Sequence, residues 1–214
     1  MERKLNLILL GAPGAGKGTQ AELISARYGI PAISTGQIIR EEIASGSELG
    51  EAVKSYTSKG ELVPDSVVID IIKARLAKDD CENGFILDGF PRTVPQAAAL
   101  DEMGVSITDV ISIEVADEDI MTRMGGRRYC KNCGATYHVK YKPSPAGENC
   151  GVCGEPLTIR ADDDPAVVKS RLEIYHAQTE PLKEFYDQKG LLKIVYGQEK
   201  LEDTTALTAA ALGE

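Results

Sequence analysis

A glycine-rich segment near the N-terminus carries a lysine in a phosphate-binding pattern. Residues 11–19 read GAPGAGKGT, which fits the spacing G-x-x-x-x-G-K with Lys17 at its end. An apolar run, 5–10, precedes the segment, and a helical pattern of apolar residues over 19–28 follows it. Glycines let backbone N–H groups face a phosphate closely, and a helix N-terminus adds partial positive charge. The sequence therefore predicts a phosphate loop, in preference to a glycine-rich turn with a surface lysine.

The loop departs from the usual pattern where magnesium is often held. That pattern has Ser or Thr directly after the lysine, whereas here Gly18 follows Lys17 and Thr19 comes second. The sequence therefore does not decide whether Thr19 contacts magnesium.

Four of the five cysteines form two close pairs. The spacing is C-x2-C, sixteen residues, C-x2-C, which is typical of a tetrahedral structural zinc site. Four protein ligands leave no open position for catalysis, and a redox pair is the alternative. We expect the remaining Cys81 to be a buried or half-buried thiol. The four predicted metal ligands are Cys130, Cys133, Cys150 and Cys153.

Five motifs in this order resemble the adenylate kinase family over nearly the whole chain. They are GAPGAGKGT, STGQIIR at 34–40, DGFPRT at 88–93, GRR at 126–128 and RADD at 160–163. The resemblance implies an α/β fold: a P-loop NTPase-like parallel five-stranded sheet flanked by helices, a helical insertion for the nucleoside monophosphate (NMP) and a small β-rich zinc-binding lid. The implied boundaries are 1–33, 64–125 and 164–214 for the core, 34–63 for the NMP-binding domain and 126–163 for the lid.

The resemblance also implies a role for individual residues. The catalytic set is Lys17, Asp88, Arg92, Arg127, Arg160 and Arg171. The ATP-binding set is Gly14, Ala15, Gly16, Lys17, Gly18, Thr19, Arg123, Arg127, Thr136, Tyr137 and Glu199. The AMP-binding set is Thr35, Arg40, Glu61, Leu62, Val63, Gly89, Phe90, Pro91, Arg92, Gln96, Arg160 and Arg171. Gln37 stands where relatives often have an acidic residue, and we expect no change of substrate from it.

The chemistry of phosphoryl transfer explains why arginines dominate these sets. The transition state is loose and highly charged, so cations, alignment and exclusion of water carry the catalysis. The acceptor phosphate is already ionised and needs no strong base, so we expect His138 and His176 to be surface or packing residues. Asp88 either orients magnesium-bound water or caps a turn. Asp162 and Asp163 are either lid acids or capping and hinge residues.

The elements that would position these groups alternate between apolar runs and helical patterns. Strands are predicted at 5–10, 85–87, 110–115 and 191–196, and such alternation favours a parallel sheet. Helix starts are predicted at Asp65, Asp117 and Asp164-Pro165, with a capping box of Ser34 and Gln37 and a C-terminal helix from Leu201. Residues 125–163 are rich in Gly and Pro, and 136–141 alternates as a hairpin strand does.

Composition limits the classes of function. The chain has 214 residues, 43% of them hydrophobic and 27% charged, which is typical of a soluble globular protein. It lacks an apolar run of about 18 residues, and its net charge of -9 disfavours nonspecific binding to nucleic acid. The short apolar run at 5–10 leads into the glycine motif, so we interpret it as a strand and not a signal peptide.

These observations lead to one main hypothesis and two alternatives. The main one is a cytoplasmic, monomeric enzyme that transfers phosphate from ATP to AMP, giving two ADP, with Mg and a structural Zn. The first alternative is a sibling kinase that uses GTP as donor or UMP or CMP as acceptor. The second is a zinc-ribbon nucleic-acid-binding protein. The main hypothesis involves no nucleic acid and no membrane.

Overall fold

A five-stranded parallel sheet forms the centre of the computed structural model, which describes residues 4–213. The strand order is β2-β3-β1-β4-β8, and every neighbouring pair is parallel. The prediction of such a sheet is confirmed. The strands are β1 (Leu5–Leu10), β2 (Ala32–Ser34), β3 (Gly84–Asp88), β4 (Asp109–Glu114) and β8 (Leu192–Tyr196).

Sequence reasoning located four of these strands and missed β2. This strand has three residues and directly follows Pro31, so it has no apolar run or alternation to detect. It is held as an edge strand by its pairing with β3, in which Ile33 lies opposite Leu87. A tertiary contact therefore decides its conformation.

The described residues include nine α-helices. They are α1 (Lys17–Tyr28), α2 (Thr35–Ser45), α3 (Glu48–Lys59), α4 (Asp65–Leu76), α5 (Val94–Glu102), α6 (Asp117–Gly126), α7 (Pro165–Ile174), α8 (Leu182–Asp187) and α9 (Leu201–Leu212). A π-helical turn, Tyr175–Thr179, continues α7. None of the helices within 4–213 is long and apolar enough to cross a membrane.

The predicted helix starts are correct in all cases but the capping box. Helices begin at Asp65, Asp117 and Pro165, and the Asp164 side chain accepts a hydrogen bond from the N–H of Ala166. The capping box at the start of α2 is wrong, because the Ser34 side chain makes no capping hydrogen bond. The Gln37 amide is not available for it either, since it donates to Glu41 one turn further along the helix, at 2.9 Å.

Both faces of the three central strands are buried, which explains why β1, β3 and β4 read as continuous apolar runs. All six residues of β1 are buried, and their side chains alternate between two cores. Leu7 and Leu9 belong to the core that includes residues of α1, α6, α7 and α9. Ile8 and Leu10 belong to the core that includes residues of α2, α3, α4, α5 and α8.

Two segments project from the core at the carboxyl ends of the strands. The first contains the helix pair α2 and α3, and the second is a small antiparallel sheet of order β6-β5-β7. The predicted hairpin strand over 136–141 is shorter in the structure, because it stops at His138 and turns back through a bridge to Lys142. The strands are β5 (Arg127–Cys130), β6 (Thr136–His138) and β7 (Leu157–Thr158).

We predict that Gly50→Ala destabilises the packing of α2 against α3. Gly50 is buried, and a Cβ there would overlap the main-chain carbonyl oxygen of Glu42 and lie 2.7 Å from the N of Ile43. Backbone cannot move aside cheaply, so we expect a loss of about 1–3 kcal/mol in the free energy of unfolding, measured by denaturant titration.

The matched control is Gly125→Ala, in helix α6. A Cβ at Gly125 meets nothing within 4 Å, so this variant should be neutral or slightly more stable, by up to about 1 kcal/mol. Equal stability of the two variants would contradict the close approach of α2 and α3.

Candidate active site

A cleft among the described residues lies where the carboxyl ends of β1, β2 and β3 meet the two projecting segments. Open α/β sheets characteristically bind ligands at this edge. The sequence-predicted residues that line the cleft are Gly14, Ala15, Gly16, Lys17, Gly18, Thr19, Arg40, Leu62, Asp88, Gly89, Pro91, Arg92, Arg123, Arg127, Thr136, Tyr137, Arg160, Arg171 and Glu199.

Five residues assigned to AMP binding do not line this cleft. Val63 and Phe90 are buried in the hydrophobic core, and Glu61 is exposed to solvent. The buried hydroxyl of Thr35 donates to the carbonyl of Gly89 at 2.7 Å. Gln96 is also buried, and its amide is bonded to neighbouring protein groups.

The glycine-rich loop places Lys17 at the first position of α1, facing the loop's own backbone. Its Nζ donates to the carbonyl oxygens of Gly11 at 2.7 Å and Ala12 at 2.9 Å. Burial lowers the pKa of Lys17 to about 8, and Asp88 partly opposes the shift. Because the charged form is held out of water, an anion in the loop would stabilise it.

Asp88 ends strand β3 beside the start of α1. Its Oδ2 lies 3.5 Å from the point where a Cβ on Gly18 would stand. The carboxylate therefore faces the phosphate loop, which fits the magnesium-orienting role better than a turn cap.

Arginines converge on the cleft from four parts of the chain. Arg40 lies on α2, Arg92 follows β3, Arg127 and Arg160 flank the small sheet, and Arg171 lies on α7. Burial lowers the pKa of Arg160 to about 9 and of Arg171 to about 10, and it also lowers the pKa values of Arg40 and Arg92. Mutual repulsion among these arginines contributes to each shift.

Two carboxylates from the turn 161–163 pair with the arginines. Asp163 is buried and forms a bidentate contact with Arg127. Asp162 accepts from Arg171 at 2.9 Å. Burial alone would raise the pKa of Asp162, but Arg171, Arg127 and Arg160 bring it below its ordinary value. The two acids thus act as charge partners inside the site, an alternative that the sequence left open.

Several predicted ATP-binding residues have partners within the protein. Arg123 donates to the carbonyl of Gln198 at 3.0 Å. Glu199 forms an ion pair with Lys140 of the small sheet's loop at 2.8 Å. The Tyr137 hydroxyl contacts the Sγ of Cys150 at 3.4 Å and accepts from the N–H of Gly151, so it supports the cysteine cluster.

Sequence reasoning also missed residues that line the cleft. Lys142 pairs with Glu22 of α1 at 2.7 Å, and both line the cleft, as do Gln198 and Thr179. A lone Lys or Thr carries no motif, so the sequence offered no signal for these residues. The Thr179 hydroxyl donates to the main-chain carbonyl of Arg92 at 2.8 Å.

The two histidines differ in their positions. His138, expected to be a surface or packing residue, lines the cleft and accepts backbone N–H groups of Lys140 and Tyr141 through Nδ1. It therefore holds the turn after β6. His176 lies on the surface, paired with Asp117 and Glu180.

The four paired cysteines come together in the small sheet. Their Sγ atoms all lie within 4.8 Å of one another, and three of the separations are 3.4, 3.5 and 3.6 Å. A tetrahedral zinc with Zn–S bonds of about 2.3 Å requires S···S edges of about 3.8 Å. The cluster fits a zinc site, and all five cysteines, including buried Cys81, are free thiols.

The fold and the site together define a class of protein. A phosphate loop between a parallel strand and a helix, facing a convergent set of half-buried arginines, is the arrangement of a P-loop nucleotide phosphotransferase.

Comparisons with known proteins identify the family. The family model described as adenylate kinase matches residues 9–191. A protein named adenylate kinase from Caldicellulosiruptor bescii is 57% identical, over 98% of this chain and 99% of its own. Those from Lachnospira eligens and Geobacillus sp. (strain WCH70) are 52% and 51% identical, over 98% of this chain and 100% and 99% of their own. The chain belongs to the adenylate kinase family and is a nucleotide phosphotransferase, which confirms the resemblance.

We predict that ATP affinity depends on pH through Lys17. In the free protein the pKa of Lys17 is about 8, and a bound phosphate raises it. Above about pH 8 the anion must therefore recruit a proton to bind, so affinity should be about tenfold weaker at pH 9 than at pH 7. Isothermal titration calorimetry measures this dependence.

Two variants serve as controls for the pH effect. Lys17→Met should bind ATP weakly, with an affinity that no longer falls between pH 7 and pH 9. Lys73→Met, at an exposed position on α4, should keep the pH dependence of the wild type. If ATP affinity depended on pH equally in Lys17→Met and in the wild type, the titrating group would be a residue other than Lys17.

Proposed function

We propose that this protein catalyses reversible, magnesium-dependent phosphoryl transfer from ATP to AMP, giving two ADP. The observation that carries the proposal is a continuous set of half-buried cations in one cleft. Lys17 interacts electrostatically with Arg92, Arg127 and Arg171. Arg92 in turn interacts with Arg40. Two phosphate chains could thus meet end to end, with the phosphate loop holding one and the Arg40 and Arg92 pair holding the other.

In this proposal, the residues between the two ends stabilise the transferred group. Arg127, Arg160 and Arg171 surround it and neutralise the charge on its equatorial oxygens. Arg–phosphate contacts are bidentate, so they also align the donor and acceptor oxygens. Magnesium, when bound with ATP, supplies further charge neutralisation on the phosphates. Asp88 would hold it through water, and Thr19, which also lines the cleft, carries the one hydroxyl of the motif.

We further propose that 34–63 and 126–163 are the segments that close over the nucleotides. Two ion pairs, Lys140 with Glu199 and Lys142 with Glu22, connect the second segment to the core at the edge of the cleft. The two segments also meet, since a Cβ on Gly134 would stand 2.9 Å from the Gln37 amide nitrogen. This closed arrangement excludes water from the arginines and so strengthens their electrostatic effect.

The metal of the cysteine cluster, we propose, is zinc with a structural role. Four thiolates fill a tetrahedral coordination sphere and leave no position for water or phosphate. The buried hydrophobic residues of the small sheet are Cys130, Tyr137 and Cys150, too few for an independent core. Coordination would therefore supply the stability of the segment.

The proposal includes a cytoplasmic monomer whose partners are ATP, AMP and ADP. The net charge of -9 disfavours nucleic acid and anionic membrane surfaces as partners.

The test of this function is a panel of nucleotide pairs assayed with two variants. With ATP as donor, AMP should be preferred over UMP, CMP and GMP as acceptor. Lys17→Met should lower turnover on the order of 10²-fold or more. Arg92→Ala should lower kcat/KM for AMP, because it leaves the acceptor phosphate without its charged partner. The expected loss of transition-state stabilisation is about 2–5 kcal/mol.

Arg75→Ala is the matched control for the arginine variant. Arg75 lies outside the cleft, paired with Asp80 on the surface, so its loss should leave kcat/KM within about twofold of the wild type. If the protein preferred a pyrimidine monophosphate, AMP would not be its acceptor. The assignment of the phosphate-binding residues would not be affected by that result.

We predict that removing the metal loosens the lid before the core. In a chelated sample, hydrogen exchange should accelerate first over 126–163, and the thermal transition should shift to lower temperature. Activity should fall indirectly, because Arg127 and Arg160 lie at the edges of the loosened segment. Elemental analysis, thermal unfolding and activity are measured on the same preparation.

Two cysteine variants sharpen this test. Cys153→Ser removes one ligand and should reproduce the chelated protein, whereas Cys81→Ser, outside the cluster, should retain the metal. A chelated sample that melts like the metal-bound protein would rule out a structural metal. Immediate loss of activity with the lid still folded would indicate a metal that takes part in the chemistry.

A further inference from the structure

The side-chain amide of Gln96 is fixed at both ends by groups that the reaction itself does not use. Its Nε2 donates to the Oδ1 of Asp65 at 2.7 Å. Its Oε1 accepts from the main-chain N–H of Arg92 at 2.7 Å. Gln96 is 2% exposed, so neither bond is replaced by water.

These two partners allow one orientation of the amide. A carboxylate only accepts hydrogen bonds and a backbone N–H only donates them. Rotating the amide by half a turn would place Oε1 against the Asp65 carboxylate and Nε2 against the Arg92 N–H. Both contacts would then be repulsive, and in a buried site each unmade bond is costly.

Both partners are themselves held in place. Asp65 occupies the first position of α4, and its Oδ2 accepts from the Thr93 hydroxyl at 3.0 Å. The Arg92 carbonyl accepts from Thr179 at 2.8 Å, which restrains rotation of the Arg92 main chain. The orientation of the amide is therefore built into α4, α5 and the turn after α7.

The amide keeps capacity for a ligand after these bonds. A glutamine amide has two N–H donors and two oxygen lone pairs, so one donor and one lone pair remain. Arg92, one hydrogen bond away, lines the cleft, as do Pro91 and Leu62. Gln96 itself does not line the cleft, so a base can approach the remaining donor and lone pair only from beside these residues.

A freely rotating amide cannot distinguish adenine from a 6-oxopurine. Adenine presents an acceptor at N1 and a donor at N6, whereas hypoxanthine and guanine present a donor at N1 and an acceptor at O6. An amide matches the first pattern in one orientation and the second pattern in the other. Discrimination at this edge therefore requires that the orientation be locked.

We propose that Asp65 is a specificity-determining positioning residue, which locks the Gln96 amide in the orientation that reads adenine and rejects 6-oxopurines. The proposal rests on the proposed function, because it takes AMP as the acceptor and Gln96 as the group that meets its base. Asp65 acts through Gln96 and contacts no substrate.

The test replaces Asp65 by a side chain that accepts either orientation. Asp65→Asn offers both a donor and an acceptor of nearly the same shape, so one of the two restraints is lost and the Arg92 N–H remains. IMP is the probe, since it carries the 6-oxopurine pattern without the 2-amino group of guanine. We expect the ratio of kcat/KM for AMP to that for IMP to fall by about tenfold.

Thr93→Val is the matched control. It removes the second bond to Asp65 and the helix-capping bond that the Thr93 hydroxyl accepts from the main-chain N–H of Gln96, but it keeps Asp65 against the Gln96 side-chain amide. Its AMP to IMP ratio should equal that of the wild type even if both rates fall. Should Asp65→Asn not fold, Asp65→Ser serves in its place, because a hydroxyl also donates or accepts.

Different outcomes would overturn the role of Asp65 and the proposed phosphorylation of AMP. An unchanged or increased AMP to IMP ratio in a folded Asp65→Asn that still uses AMP would overturn the lock, and so would an equal fall of the ratio in Thr93→Val. A wild-type enzyme that does not phosphorylate AMP would instead overturn the proposed function.

Discussion

Holding several positive charges out of water in one cleft is the requirement on which the rest of this structure depends. Lys17 and five of the arginines that line the cleft lie close to three carboxylates: Asp88, which also lines it, and Asp162 and Asp163, which pair with Arg171 and Arg127. Like charges repel in a medium of low polarity, and burial adds the cost of lost hydration. The lowered pKa values of Lys17, Arg160 and Arg171 express that cost. A polyphosphate ligand is the natural counter-charge.

The parallel sheet meets this requirement by bringing distant parts of the chain to one edge. The carboxyl ends of β1 and β3 place the phosphate loop and Asp88 side by side through the register of Leu9 opposite Asp88. The two apolar cores lie on the faces of the sheet, away from this edge. Lys17, Asp88 and Arg171 are thus anchored on elements of the core, and preorganised charge of this kind needs no rearrangement during the reaction.

The small sheet solves a different problem, which is to bring Arg127 and Arg160 over the cleft with little core of its own. The cysteine cluster draws together the two ends of a loop-rich segment, and the Tyr137 hydroxyl packs against it. Asp163 and Asp162 neutralise Arg127 and Arg171 beside the segment. The ion pairs of Lys140 and Lys142 are exposed enough to be weak individually, so they would suit the proposed opening and closing of the lid.

The sequence by itself determined those features whose chemistry lies within a short stretch of chain. The phosphate loop, the cysteine spacing and the helix starts at Asp65, Asp117 and Pro165 are local patterns with local causes. Only the tertiary structure decided the rest, because the deciding partners are distant in sequence: β3 for the short strand β2, Lys140 for Glu199, and Cys150 for Tyr137. The orientation of the Gln96 amide belongs to the same group, since Asp65, 31 residues away, fixes it. Hydrogen bonds and ion pairs of this kind depend on packing between elements, and a single sequence carries no pattern that reports them.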